Sequence, residues 1–227
     1  MPTQLENLNK QIITCRECPR LVAWREEVAR VKRKAYRDQE YWGKPVPGFG
    51  DPKARVLVVG LAPGAHGSNR TGRAFTGDAS GGFLYPALHK AGFANQAEAT
   101  SRSDGLRLNE LYITAVARCA PPDNKPSLEE LNTCQPYLER ELEIIKPKVI
   151  VCLGRIAFER ILKIYSIRNS EWKFSHGAVY PLPSSSFILH NSSLICSYHP
   201  SQQNTLTGRL TVKMFDAIWA KAKELLK

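Results

Sequence analysis

The chain has 227 residues, 43% of them hydrophobic, which is enough to bury a sizeable core in one domain. Its 32 Lys and Arg outnumber its 21 Asp and Glu, and the formal net charge is +11. This charge favours a polyanionic partner such as nucleic acid, with a generally basic surface as the alternative. No run of 18 apolar residues and no signal-like N-terminus is present, so we expect no membrane span, no membrane partner and a cytoplasmic location.

The N-terminal part predicts two short helices that flank a pair of cysteines. The first helix covers about 4–13, and Cys15 and Cys18 follow in "CRECPR". The second helix has apolar residues recurring by three and four on one face and basic residues on the other. Its apolar residues are Leu21, Val22, Trp24, Val28 and Val31. These features predict a cysteine-bearing helical arm over about 1–40, before a Pro/Gly-rich loop at 41–52.

Four short, almost continuously apolar runs predict buried strands of a parallel sheet. They cover 55–62, 111–119, 148–154 and 193–199. Helical patterns separate them, and this alternation predicts an α/β fold, namely a three-layer α/β/α sandwich with a central, mostly parallel four-stranded sheet. Ligands of such folds bind at the carboxyl ends of the strands.

Two of the helices have clear sequence signals. Ser127 and Glu130 form a capping-box pattern for a helix over about 128–145, which Pro136 is expected to kink. The last helix covers about 210–226. Its apolar face contains Phe215, Ile218, Trp219, Ala222 and Leu225.

A glycine-rich stretch, "GLAPGAHGSNRTGRAFTGDASGGF", follows the first predicted strand. Its spacing matches neither the Walker pattern nor the dinucleotide fingerprint, so neither standard nucleotide-phosphate site is predicted. Phe75, among small residues, can stack on a base, and Asp78 can hold or activate a water. The structural alternatives are that Phe75 anchors the core and that Asp78 caps the next helix.

A second polar stretch, "SYHPSQQNTLTGRLT", follows the last predicted strand and contains His199, Asn204 and Arg209. Imidazole and amide groups are suitable donors to a base carbonyl or to a developing negative charge. A lone histidine is more often structural than catalytic, but its position at a strand end favours a functional role.

Six cysteines are present, and two of them, Cys152 and Cys196, lie in apolar runs typical of the core. The other four consist of a closely spaced pair and two distant residues, namely Cys15, Cys18, Cys119 and Cys134. This set indicates a metal site, and its spacing accepts either zinc or an iron–sulfur cluster. Four unrelated reduced thiols are the alternative.

Together these motifs resemble the iron–sulfur branch of the uracil-DNA glycosylase superfamily, specifically family 5, the type B enzymes. The matching segments, in order, are "CRECPRLVAWREEV", "YWGKPVPGFGDP", "GLAPGAHGSNRTGRAFTGDASG", "YITAVARCAPPDNKP", "LGRIA" and "SYHPSQQNTLTGRLT". The resemblance covers nearly the whole chain and implies a single domain over 1–227. It also implies a monofunctional DNA repair enzyme, nucleoid-associated in a prokaryotic cell, that flips deaminated bases out of DNA and hydrolyses their N-glycosidic bonds.

The resemblance also implies roles for individual residues. A [4Fe–4S] cluster is implied on the four cysteines Cys15, Cys18, Cys119 and Cys134. Asp78 and Asn204 would position the attacking water, and His199 would hydrogen-bond the leaving base. The base itself would be held by Gly60, Ala62, Gly64, Phe75 and Asn124.

Two departures from the related family 4 pattern concern base selection. Leu61 and Ala62 stand where family 4 has an acid, and Ala115 stands where it has an asparagine. The resemblance to family 5 therefore implies tolerance of hypoxanthine, xanthine and similar bases. No lysine is placed to form a Schiff base, so we expect no strand-cleaving lyase activity.

Four residues are candidates for DNA contact: Arg70, Arg73, Leu206 and Arg209. Leu206 would fill the gap left by the flipped nucleotide. We expect a monomer acting on double-stranded DNA, with single-stranded DNA as a further substrate; a sliding clamp as partner is left open. The rival functions are a non-catalytic nucleic-acid binder with a structural metal site and a hydrolase of free nucleosides or nucleotides. The second would not need a charge of +11.

Overall fold

The structure, a computed structural model, describes residues 2–168, 170–184 and 191–227. One six-stranded sheet runs through it in the order β1-β3-β2-β4-β6-β5. The strands are β1 (Phe49–Gly50), β2 (Val56–Gly60), β3 (Leu111–Ala115), β4 (Val149–Leu153), β5 (Val179–Leu182) and β6 (Ser192–Ser197). The four central strands pair in parallel, and the two edge strands are antiparallel to their neighbours.

The four predicted strands are these four central strands, but the predicted count of four omitted both edges of the sheet. The edge strand β1 has two residues within the Pro/Gly-rich loop, and β5 contains Pro181, a residue that sheets accept at their edges. The run predicted over 111–119 also extends too far, because β3 ends at Ala115. The apolar run continues past this point because Val116 and Ala117, in the loop after β3, are also buried.

Helices cover both faces of the sheet and give the predicted three-layer arrangement. They are α1 (Gln4–Thr14), α2 (Pro19–Val31), α3 (Ser68–Thr71), α4 (Ala79–Lys90), α5 (Leu128–Ile145), α6 (Arg155–Ile164), α7 (Gln202–Leu206) and α8 (Val212–Glu224). The core on one face includes residues of α1, α5 and α6, and the core on the other includes residues of α4 and α8. Cys152 and Cys196 are fully buried in the first of these cores, as predicted. None of the helices in the described ranges has the length and hydropathy that a membrane crossing requires.

The apolar face predicted for α2 is partly wrong. Trp24 and Val31 are 37% and 57% exposed, whereas Arg25 between them is only 2% exposed. The helix is rotated so that Arg25 points inward, because its guanidinium donates a hydrogen bond to the Cys119 sulfur. The capping box of α5 is confirmed, and this helix continues without a break through Pro136.

Candidate active site

A cavity of about 510 Å³ opens at the carboxyl ends of the parallel strands. Its walls come from the glycine-rich stretch after β2, the end of β3, the turn at 122–124 and the segment after β6. All of the residues predicted to be catalytic or base-binding line it: Gly60, Ala62, Gly64, Phe75, Asp78, Asn124, His199 and Asn204. The structure therefore brings together residues that lie as far apart in sequence as Gly60 and Asn204.

Phe75 lies in this cavity with its ring close to the end of β2. Its backbone adopts a φ of 50°, an uncommon conformation for a residue with a side chain. Two glycines make room for it: a Cβ on Gly60 would lie 3.0 Å from Phe75 Cζ, and one on Gly81 would lie 1.8 Å from the Phe75 carbonyl oxygen. The ring packs on the core while its centroid lies 5.8 Å from that of His199. Phe75 is thus both a core anchor and an aromatic wall of the cavity.

Asp78 combines the two roles considered for it from the sequence. Its Oδ1 accepts a hydrogen bond of 3.0 Å from the Gly81 N–H, so it caps α4 as predicted. Its Oδ2 faces Gly64 and Gly67, and a Cβ on Gly67 would lie only 1.9 Å from that oxygen. Burial raises the pKa of the Asp78 carboxyl, against the opposing effect of its backbone hydrogen bonds. A carboxylate held in this way is suited to accept a proton from a water in the cavity.

His199 and Asn204 follow β6 and are joined by a short contact. The Asn204 side-chain amide donates a hydrogen bond of 2.8 Å to the His199 carbonyl oxygen, which fixes the loop between them. Behind His199 lies Gly154, where a Cβ would be 3.6 Å from the His199 Cβ. Desolvation lowers the pKa of His199 to about 4, so the imidazole is neutral near pH 7. A neutral imidazole in this place can donate one hydrogen bond without carrying charge.

This depressed pKa predicts that the protein loses stability in acid. Below the unfolded-state pKa of about 6.5, the unfolded chain binds a proton that folded His199 does not bind until the pH approaches 4. The free energy of unfolding should therefore fall through this window, by up to about 3 kcal/mol from this group. Urea unfolding at several pH values measures it, with His199→Gln as the comparison. Equal pH dependence in both proteins would contradict the assignment.

The four candidate metal ligands converge between the N-terminal arm and the sheet. Cys15 and Cys18 lie at the junction of α1 and α2, Cys119 follows β3, and Cys134 lies on α5. Burial and the charges of neighbouring thiolates raise the pKa of Cys18 to about 11 and that of Cys119 to about 12. Cys15 and Cys134 are among these neighbours. In the ranges that the structure describes, no three His, Cys, Asp or Glu side chains are close enough to hold a single metal ion.

Two buried arginines beside these residues were not identified from the sequence. The Arg25 guanidinium donates a hydrogen bond of 2.9 Å to the Cys119 sulfur and one of 3.2 Å to the Cys15 carbonyl oxygen. Arg118 lines the cavity and forms a 2.6 Å ion pair with Glu141, which is fully buried. The only sequence signal for either arginine is a charged residue within an apolar pattern, and such a pattern does not reveal the partner.

Comparison with known proteins identifies the family. Residues 47–223 match the family model described as the Uracil DNA glycosylase superfamily. The chain belongs to this superfamily. It is 55% identical over 215 residues to a type-5 uracil-DNA glycosylase of Thermus thermophilus, covering 94% of each chain. It is 50% identical to one of Mycobacterium leprae, covering 97% of this chain and 95% of the relative, and 43% identical to one of Pyrobaculum aerophilum, covering 93% and 89%.

Two of the candidate DNA contacts in this superfamily member are buried arginines with internal partners. Arg70 is 8% exposed, and its guanidinium donates to the His66 and Gly77 carbonyl oxygens, each at 2.7 Å. Arg73 is 3% exposed and forms an ion pair of 2.6 Å with Asp104. These buried guanidinium groups hold the glycine-rich stretch in shape and are not exposed for the DNA contact predicted from the sequence.

The other two candidates lie on the surface beside the cavity. Leu206, at the end of α7, is 81% exposed. Arg209 is exposed too, with its guanidinium carbon 4.7 Å from the centroid of the Tyr198 ring. An exposed leucine next to the catalytic candidates has no folding role that accounts for it, so Leu206 and Arg209 remain the predicted DNA contacts.

Proposed function

We propose that the protein removes uracil from DNA by hydrolysing the N-glycosidic bond, leaving an abasic site. The observation that carries the proposal is the meeting of Phe75, Asp78, His199 and Asn204 in one cavity of about 510 Å³, which is large enough for a nucleobase. The relatives named type-5 uracil-DNA glycosylases support it over almost the full length of the chain. The net charge of +11 suits a DNA substrate.

In this proposal the damaged nucleotide rotates out of the stack before any chemistry occurs. Extrusion costs about a few kcal/mol and is easiest for a mispaired base. The base enters the cavity and stacks on the Phe75 ring, while Leu206 fills the gap in the duplex. Backbone near Gly60 and Gly64 lines the pocket around the base.

The glycosidic bond then breaks through a transition state resembling an oxocarbenium ion. Neutral His199 donates a hydrogen bond to the departing base, which carries developing negative charge. Asp78 accepts the proton of the attacking water, and Asn204 positions that water. The hydroxyl adds to the sugar C1′, the base leaves with the bonding electron pair, and the base is then protonated.

The cavity is proposed to accept several deaminated bases. Ala62 and Ala115 both line it, and neither side chain has a donor or acceptor that would select uracil. Hypoxanthine and xanthine are therefore proposed as further substrates. Apolar walls admit bases of different chemistry, whereas a pocket built on specific hydrogen bonds rejects bases that cannot form them.

The four cysteines are proposed to hold a [4Fe–4S] cluster. Their donor set fits, because four free thiols converge and one of them already accepts a hydrogen bond from Arg25. Four thiolates are the ligand set that such a cluster takes, and zinc accepts the same set. When bound, the cluster supplies a covalent link between the arm and the domain.

Product analysis tests the function directly. The purified protein is incubated with duplex oligonucleotides that contain one uracil or one hypoxanthine. We expect free base, an alkali-labile abasic site and no strand cleavage before alkali. Release of uracil alone would restrict the substrate range. Binding without release would favour a non-catalytic nucleic-acid binder with a structural metal site, and equal release from free nucleosides would favour a nucleoside hydrolase.

The stacking role of Phe75 makes a separate prediction. Phe75→Ala should lower kcat/KM for uracil release by about one to two orders of magnitude, because base–aromatic stacking contributes about 1–3 kcal/mol. The loss should appear mainly in KM, since the ring contacts the base before and during bond breaking. Steady-state kinetics measures the change. Phe75→Tyr, which keeps the ring, should retain most of the activity; an equal loss in both variants would contradict stacking.

A further inference from the structure

A second cavity, of about 520 Å³, lies between the first half of α5, helix α6 and the segment after α6. It shares no lining residue with the candidate active site. Part of its wall is formed by Leu128 and Ile156, which are 69% and 38% exposed. Six large apolar side chains reach such exposure in the described part of the chain, and two of them line this one cavity. Exposed apolar residues concentrated in this way are typical of a binding site.

The same cavity contains two cations that share one neutral acceptor. Arg160 Nη2 and Lys163 Nζ each donate a hydrogen bond of 2.8 Å to Asn132 Oδ1. Arg160 is only 5% exposed, and its Nε has no hydrogen-bond partner. Two like charges on one amide oxygen leave an unbalanced positive potential at this point.

The acidic groups nearby do not balance that charge. Glu159 also lines the cavity, and Glu171 pairs with Arg168, another lining residue, at 3.1 Å. Within residues 2–168, 170–184 and 191–227, neither Arg160 nor Lys163 has a carboxylate within 4.0 Å. The cavity therefore suits a ligand that has an anionic group for the two cations and an apolar group beside it for the exposed apolar wall.

We propose that this cavity docks a short acidic segment of a partner protein, with a carboxylate on Arg160 and Lys163 and an apolar side chain between Leu128 and Ile156. A DNA backbone fits less well, because a phosphodiester would leave the two apolar side chains without a counterpart. The net charge of +11 favours encounter with an acidic partner.

The position of the cavity indicates the kind of partner. Leu128 comes four residues after Asn124, and Ile156 comes two residues after Gly154, which packs against His199. The segment would therefore dock on the flank of the candidate active site, where a protein bound to the same DNA can reach it. The choice of a DNA-bound partner rests on the function proposed above, whereas the docking itself is measured without DNA.

The test is fluorescence anisotropy with the full chain and a fluorescein-labelled synthetic peptide of four Asp residues followed by Leu and Phe. We expect saturable binding that Lys163→Glu weakens about tenfold and Ile156→Ser weakens by a similar factor. The matched controls are Lys213→Glu and Val212→Ser on α8, where Val212 is 60% exposed, and they should retain wild-type affinity.

Three outcomes of the peptide titrations would overturn the proposal, and a competition experiment gives a fourth. They are no saturable binding by the wild-type chain, equal weakening by Lys163→Glu and Lys213→Glu, and undiminished binding of a peptide in which Lys replaces Asp. A single-stranded oligonucleotide that displaces the peptide from the wild-type chain, and whose own binding Lys163→Glu weakens, would assign the cations to DNA instead. Because Lys163 lies outside the candidate active site, Lys163→Glu should release uracil from naked duplex at the wild-type rate.

Discussion

Replacing Asp78 by Asn is expected to lower the rate of uracil release by about two to four orders of magnitude, while folding and DNA affinity are retained. Asn is as good an N-cap as Asp, so α4 keeps the hydrogen bond that Asp78 makes to the Gly81 N–H. What the variant loses is the carboxylate that accepts a proton from water. Single-turnover kinetics on a uracil-containing duplex measures the loss, and gel-shift titration measures affinity.

The glycine facing Asp78 offers an independent route to the same effect. A Cβ on Gly67 would lie 1.9 Å from Asp78 Oδ2, so Gly67→Ala must displace the carboxylate. We expect this variant to release uracil much more slowly than the wild type, although all of its titratable groups are intact. Gly82→Ala is the matched control, because nothing lies within 4 Å of a Cβ at that helical position. Wild-type rates in both Asp78→Asn and Gly67→Ala would remove Asp78 from the mechanism.

The fold was predictable where burial alone determines the pattern. The central strands are buried on both faces, so their sequences are almost continuously apolar, as in "VLVVG" and "VIVCL". The edge strands lack this signal because only part of each is buried. In α2, periodicity placed Trp24 and Val31 inward, but a hydrogen bond between Arg25 and the Cys119 sulfur, 94 residues away, decides the rotation of the helix.

The site was predictable to the extent that parallel strands bring their carboxyl ends to one edge of a sheet. This rule and the family motifs placed Phe75 and His199 together, and their ring centroids lie 5.8 Å apart. The partners of charged residues were not predictable. Arg73 reads as a surface cation in "NRTGRAF", yet its carboxylate partner Asp104 lies 31 residues later in an irregular segment. A sequence shows which residues are charged, but it does not show which of those residues are buried in the fold.

The second large effect is expected from Cys119→Ser, which should abolish binding of the proposed cluster and release the N-terminal arm. Serine is a poor ligand for iron, and its shorter hydroxyl group replaces the sulfur that accepts the Arg25 hydrogen bond. Arg25 is 2% exposed, and its other partners are the Cys15 carbonyl oxygen at 3.2 Å and the Glu26 carboxylate at 3.8 Å. Weakening the hydrogen bond of this buried group costs about 1–3 kcal/mol, in addition to the folding free energy that bound metal contributes.

Iron content, the visible absorption of the purified protein and limited proteolysis of the arm together measure this prediction. Cys196→Ala is the control: Cys196 is equally buried, but it lies in the sheet core on β6, away from the four-thiol set. It should lose some stability through a small cavity and keep both iron and colour. If Cys119→Ser retains the iron and colour of the wild type, the four cysteines do not hold a cluster. If the wild-type protein contains zinc and no iron, the same four ligands bind a single ion, and the stability argument for Arg25 still applies.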